Sequence, residues 1–397
     1  MTPFIQRRSF LKGAITMAAA GAAGHLTRAV AGAASNSGAQ SPAAGVPEFA
    51  YVGCFTSMER KGHGKGIGVY RIDAASREWM QVQLVEAFNP SFLVLDRQRR
   101  FLYATHGDAT YVTAFSRDSR TGQLTKLNQQ ATGGKNAVHL SVDPGNRFLL
   151  AANFTSGNLT VFPIGRDGAL ETACQQLALQ GELGPHRTDQ AGSHPHDIPF
   201  DPSGRFVVVP DLGFDRVFVF RFDPAAGRLI AANPASVATR AGAGPRHVDF
   251  HPTKPYLYVI NQIDSTITTY AYNPSRGLLR PVQIVPTLPA TFTGNSNCAE
   301  ILVCPSGRFV YGSNRGMDSI SIFAVDQDNG TLAPAGWQPT QGATPRFICM
   351  VPGGDYLYAA NQDADSIVEF RAGQTNGKLA PTGQVVKTGS PTCVVFV

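Results

Sequence analysis

Beyond residue 48 the chain is written as short runs in which apolar and polar positions alternate, separated by turns rich in Pro, Gly and Asp. One kind of run reads RFLLAAN, RFVVVPD, PYLYVIN, RFVYGSN and DYLYAAN. It follows a turn such as DPGNR, DPSGR, HPTKP, CPSGR or VPGGD. A second kind reads NLTVF, RVFVF, TITTY, SISIF and SIVEF. β-Branched and aromatic residues at period two predict strands, and no 3.6-residue apolar pattern follows Ala34. The first kind of run opens at Phe101, Phe148, Phe206, Tyr256, Phe309 and Tyr356, with spacings of 47, 58, 50, 53 and 47 residues. A period of about 50 predicts a propeller, each unit one four-stranded blade.

Six units are complete and a seventh is split. FAYVGCF (49–55) and GIGVYRI (66–72) lack a preceding first strand, and SPTCVVFV (390–397) is a strand with nothing after it. Pairing them closes the ring and removes the free sheet edge. The predicted fold is an all-β, seven-bladed β-propeller over 49–397, with the C-terminal strand completing the N-terminal blade.

The first 34 residues are of another kind. They hold Arg7, Arg8, Lys12 and Arg28 and no acid, and QRRSFLKG is followed by an Ala/Gly-rich stretch. This reads as a twin-arginine signal peptide, with the twin-arginine export machinery as partner and the periplasm or the exterior as destination. Residues 35–48 read as a flexible linker. The formal charge is +6, four of which belong to the signal, so the rest carries about two. With no basic block interleaved with aromatics, nucleic acid is not expected, and no run is apolar enough to span a bilayer. Six cysteines without a C-x-x-C read mainly as small buried thiols.

In a ring of equal blades the same offset lies at the same height. The innermost strand starts at Pro90-Ser-Phe, Ala137-Val-His, Pro195-His-Asp, Pro245-Arg-His, Cys298-Ala-Glu and Pro345-Arg-Phe. The second strand ends at His106, Asn153, Asp211, Asn261, Asn314 and Asn361, with Gln262, Arg315 and Gln362 one step on. The two strands form an antiparallel hairpin, so both sets are expected at one mouth of the central channel. That brings His196, Asp197, Arg246, His247, Glu300 and Arg346 together with Asp211, Gln262, Arg315 and Gln362. The repeated Asn side chains are equally explained as partners of turn amides. Three guanidiniums aimed at one axis call for counter-charge or a bound anion.

No G-x-S-x-G, H-E-x-x-H, Walker loop or dinucleotide fingerprint is present. The pair His194 and His196 lacks a third ligand at a recognisable spacing, so neither a metal nor a cofactor is expected. The glycine-rich GHGKGIG (62–68) reads as a loop beside the mouth, with Lys65 in reach of an anion. His, Glu and Arg without a Ser or Cys nucleophile suit direct attack by water. A carboxylate or imidazole takes the proton and an arginine holds the oxyanion.

HPHDIPFDPSGRFVVVPDLGFDRV, GPRHVDFHP, YLYVINQIDSTI, CAEILVCPSGRFVYGSNRGMDSI and PRFICMVPGGDYLYAANQDADSI together resemble the seven-bladed propeller lactonases. That family includes the propeller-type 6-phosphogluconolactonases and is similar to the fungal carboxymuconate cyclase. The resemblance spans about 49–397. It implies a lactonase whose histidine falls on His196 and whose arginines fall on Arg246 and Arg315. The family's glutamate after the Asn of its VNE motif is here Gln262, which cannot serve as a base, so either Glu300 or His196 takes that role or this member has lost or changed its reaction. The implied substrate is a small anionic or sugar-like lactone. An export signal favours an unphosphorylated or carboxylated one. The rival reading is a non-catalytic periplasmic propeller that holds an anionic ligand or a protein partner.

Overall fold

The computed structural model describes residues 46–397. The expected signal (1–34) and residues 35–45 of the expected linker lie outside them. Glu48, the last residue before the first strand, is hydrogen-bonded to the sheet: its N–H donates to Val397 O and its carbonyl accepts from Ile72 N.

Seven antiparallel sheets are present. Blade 1 runs Pro391–Phe396, Phe49–Cys54, Gly66–Ile72, Trp79–Glu86, so the C-terminal strand is its innermost, as predicted. Blade 2 begins with Leu93–Leu95 and Phe101–Thr105, and blade 3 with Ala137–Val142 and Phe148–Asn153. Blade 5 begins with Pro245–Phe250 and Tyr256–Asn261, blade 6 with Asn297–Val303 and Phe309–Arg315, and blade 7 with Pro345–Met350 and Tyr356–Asn361. All six second strands open on the residue that the repeat predicts.

Blade 4 departs from the pattern. Its sheet has three strands, Phe206–Asp211, Arg216–Asp223 and Arg228–Ala238. The expected first strand around His196 is reduced to two isolated bridges, Pro195 to Asp211 and Phe200 to Val207. Pro199 supplies no N–H at an offset where the other blades have a donor, whereas prolines at the Pro195 offset open full strands in blades 1, 5 and 7.

Three of the turns before a second strand are built by a first-residue aspartate, Asp96, Asp143 or Asp201. Asp143 Oδ1 accepts from the N–H groups of Arg147 and Phe148, both at 2.6 Å. Asp201 Oδ1 accepts from those of Arg205 and Phe206, both at 2.9 Å. The core lies between blades: seven apolar clusters fill the seven interfaces. Tyrosines in the second strands bridge them, Tyr51 donating to Gly122 O, Tyr258 to Gly330 O and Tyr311 to Gly377 O. Gly330 has φ +74, and a Cβ there would lie 2.5 Å from the Tyr256 ring, so only glycine lets the neighbouring blade approach. This stacking fixes the pitch of the ring and thereby the relative positions of the strand ends at the mouth. No helix among the described residues is long and apolar enough to cross a membrane.

Candidate active site

The innermost strands do not alternate regularly where they reach the mouth. Their pairing with the second strand slips between Ala137 and His139, Pro245 and His247, Cys298 and Ile301, and Pro345 and Phe347. A bulge turns two successive side chains to the same side. Arg246 and His247 therefore both line the central cavity, as do Arg346 and Phe347. The cavity holds about 190 Å³, roughly six waters at ~30 Å³ each, which suits one sugar-sized ring.

Of the ten side chains singled out above, seven line this cavity. His196, Arg246, His247 and Glu300 are buried at its floor; Gln262, Arg315 and Arg346 are half-buried around it. Three do not reach it. Asp197 is buried behind the floor, where its carboxylate accepts from the N–H groups of Ile198 and Val248 and lies 3.1 Å from His139 Nε2. Asp211 accepts from Ser193 Oγ and from the N–H groups of His194 and Phe214, and so shapes its own blade. Gln362 donates to Asp363.

The repeated asparagines also turn away, to partners other than turn amides. Asn153 donates to Thr160 Oγ1, Asn261 to Thr266 and Thr268 Oγ1, Asn314 to Ser319 Oγ and Thr287 O, and Asn361 to Thr340 O. His194 stacks on Phe154 at 4.4 Å and diverges from His196. Lys65 borders a separate pocket with His63 and Lys387. All six thiols are free.

At the floor, Glu300 Oε1 lies 2.8 Å from His247 Nδ1, and His247 Nε2 lies 3.1 Å from His196 Nδ1. This chain fixes the tautomers. An ionised Glu300 takes the Nδ1–H of His247, His247 Nε2 then takes the Nδ1–H of His196, and the lone pair is left on His196 Nε2. The second Glu300 oxygen is buried without a partner. Arg246 and Arg315 donate to the main-chain carbonyls of Ala299 and Cys298, and their buried Nε groups lack partners.

Burial pushes Glu300 above the usual carboxylate range, against the pull of Arg246 and Arg346. Burial and then Arg246 hold His196 and His247 well below the ordinary imidazole value, which keeps them neutral. Burial and the neighbouring Arg315 lower Arg246, while Glu300 and Asp197 oppose that. Burial and neighbouring guanidiniums both disfavour the imidazolium, so the imidazole lone pairs stay free at neutral pH.

Sequence reasoning passed over the rest of the wall. Phe92, Phe154 and Phe347 stand at mouth offsets but carry no polar group to mark them. Phe55 and Arg60 come from the 55–65 loop of blade 1, which is out of phase with the repeat and left no signal. Arg60 and Arg346 flank the Phe55 ring at 5.2 and 5.1 Å.

Residues 49–396 match the family model described as "Lactonase, 7-bladed beta-propeller". A 6-phosphogluconolactonase of Bacillus subtilis (strain 168) is 36% identical over 299 residues, 75% of this chain and 83% of that protein. A 6-phosphogluconolactonase of Formosa agariphila is 31% identical over 308 residues, 75% of this chain and 84% of that one. The solved structure of the Pseudomonas aeruginosa periplasmic gluconolactonase superposes with a TM-score of 0.80 at 30% identity, covering 88% of this chain and 98% of its own.

Proposed function

The chain belongs to the lactonase family of seven-bladed β-propellers, and from that premise we propose that it hydrolyses a sugar or carboxylated lactone by direct attack of water. The observation that carries the proposal is the line Glu300–His247–His196 ending in a cavity walled by guanidiniums. His196 Nε2 takes a proton from water as the oxygen adds to the lactone carbonyl. Arg246 and Arg315 stabilise the oxyanion with the N–H groups that have no other partner. The intermediate collapses, the ring C–O bond breaks, and the proton held by His196 passes to the departing alkoxide. The product is a hydroxy acid, whose carboxylate meets Arg346. In this scheme Glu300 and His247 act through His196, and Gln262 is a neutral part of the wall.

The same proposal places the protein in the periplasm or outside the cell, on the strength of the twin arginines and of the periplasmic gluconolactonase to which it is similar. The test is hydrolysis of glucono-δ-lactone and a panel of other lactones by purified protein, followed by pH change. Turnover above buffer is expected, and Arg246→Ala is expected to lose about 10²–10³-fold in kcat/KM. Rates equal to buffer on every lactone, with ligand binding retained, would leave a binding propeller as the reading.

A further inference from the structure

Four guanidiniums reach the cavity, and they are not equivalent. Arg246 and Arg315 touch only main-chain carbonyls. Arg346 rests on the Phe55 ring without a hydrogen bond or ion pair to any described residue; the Asp363 carboxylate acts on it only at a distance. Arg60 is different. Its Nε donates to Asp108 Oδ2 at 2.7 Å and its Nη2 to Asp108 Oδ1 at 2.6 Å, a fork closed on a fork. The pair is partly exposed, at 34% and 33% of the two side chains, against 6% and 10% for His247 and Glu300. It therefore stands at the rim, and Asp108 itself does not line the cavity. The Asp108 N–H donates to Asn136 Oδ1, which holds the carboxylate's turn in place.

We infer that Asp108 selects the substrate class by neutralising Arg60, so that the mouth takes a lactone without a phosphate on its exocyclic arm. The inference rests on the lactonase reading. A ring whose carbonyl meets Arg246, Arg315 and His196 at the floor carries its exocyclic arm towards the rim. A phosphate there is close to a dianion and is best held by free guanidinium forks. It meets instead a guanidinium already bound edge to edge by a carboxylate. Displacing that carboxylate leaves two like charges side by side. With Arg246 and Arg315 given to the lactone carbonyl, Arg346 is the cavity guanidinium left without an ion pair, which matches a single carboxylate or the product acid.

The experiment compares wild type, Asp108→Asn and the double variant Arg60→Gln/Asp108→Asn. Asparagine tolerates the left-handed φ of +68 at this turn, so the single change preserves the backbone. Two quantities are read: kcat/KM for glucono-δ-lactone and its 6-phosphate, and the Kd of gluconate and 6-phosphogluconate. The wild type is expected to favour the unphosphorylated member of each pair. Asp108→Asn is expected to shift both ratios towards the phosphorylated member by about tenfold, and the double variant to abolish the gain. A wild type that prefers the phosphorylated member, or a ratio unmoved by Asp108→Asn, overturns the inference and leaves the lactonase reading standing. Binding ratios that shift in a protein that hydrolyses neither these two nor any other lactone of the panel support the selection by Asp108 and overturn the lactonase reading.

Discussion

Two sets of polar residues arrive at the same end of the propeller, and they do opposite things. The ends of the second strands carry nearly the same residue in five of the seven blades: Asn153, Asp211, Asn261, Asn314 and Asn361, all buried and bonded within or beside their own blades. The starts of the innermost strands differ from blade to blade, and His196, Arg246, His247, Glu300, Arg346 and Phe347 among them line the cavity. At one offset stand Phe92, His139, Asp197, His247, Glu300, Phe347 and Cys393. Uniformity marks a demand that each blade makes on itself, here the bonding of a third-strand hydroxyl or a nearby carbonyl. Variation marks a demand made by something on the axis, which each blade meets from a different side. The polar members are consecutive, His139 to Glu300 across blades 3 to 6, while blades 7, 1 and 2 present Phe347, Cys393 and Phe92. That offset thus has a polar arc and an apolar arc, while Arg60 and Arg346 bring charge to the cavity from blades 1 and 7 and Phe154 brings an apolar ring from blade 3.

The contrast is broken most sharply at His196. Its replacement by alanine removes the proposed base and is expected to lower kcat by about 10²–10⁴-fold, with circular dichroism and melting little changed; a kcat near wild type removes His196 from the mechanism. Next comes pH. Because burial raises Glu300, its ionised form is lost at a higher pH than for an ordinary glutamate, and with it the lone pair on His196 Nε2. Activity is therefore expected to fall as pH drops through that raised value, before His196, whose own value is lowered, takes a proton. Glu300→Gln should displace that acid limb and lower its plateau, read from kcat against pH; an unmoved limb assigns it elsewhere. The smallest effect on chemistry is expected at the uniform set. Asn314→Ala leaves Ser319 and the Thr287 carbonyl short of a partner and should cost about 1–3 kcal/mol in denaturant unfolding, with kcat per folded molecule unchanged. A loss of kcat there would make the uniform residues part of the site.

Much of this was legible in the chain. The opening residues of all six complete second strands, the split seventh blade and seven of the ten chosen side chains are where the repeat puts them. The turn chemistry explains why: an Asp at a fixed distance before an aromatic caps the N–H groups of the strand that follows, as at Asp143 and Asp201. The misses have equally local causes. Around His196 the period-two pattern predicts a strand, and Pro199 withholds a donor that the other blades supply at that offset. Asp197 carries charge at the right offset, yet one oxygen accepts from Val248 N–H of blade 5 and the other from Ile198 N–H beside His139. Arg60 could not be found because its loop occurs once.

Period, turn residues and the alternation of apolar positions are properties of neighbouring residues, and they are enough to set seven blades and to bring their strand ends to one pole. Which of those ends touch is another matter. Regular alternation puts Arg246 and His247 on opposite faces of their strand, and only the slip in pairing between Pro245 and His247 turns both inward. Likewise Glu300, His247 and His196 belong to three blades, and the 2.8 and 3.1 Å that join them depend on the pitch of the ring. That pitch is decided by the packing of seven apolar interfaces, a sum over the whole fold that no single stretch of the chain contains.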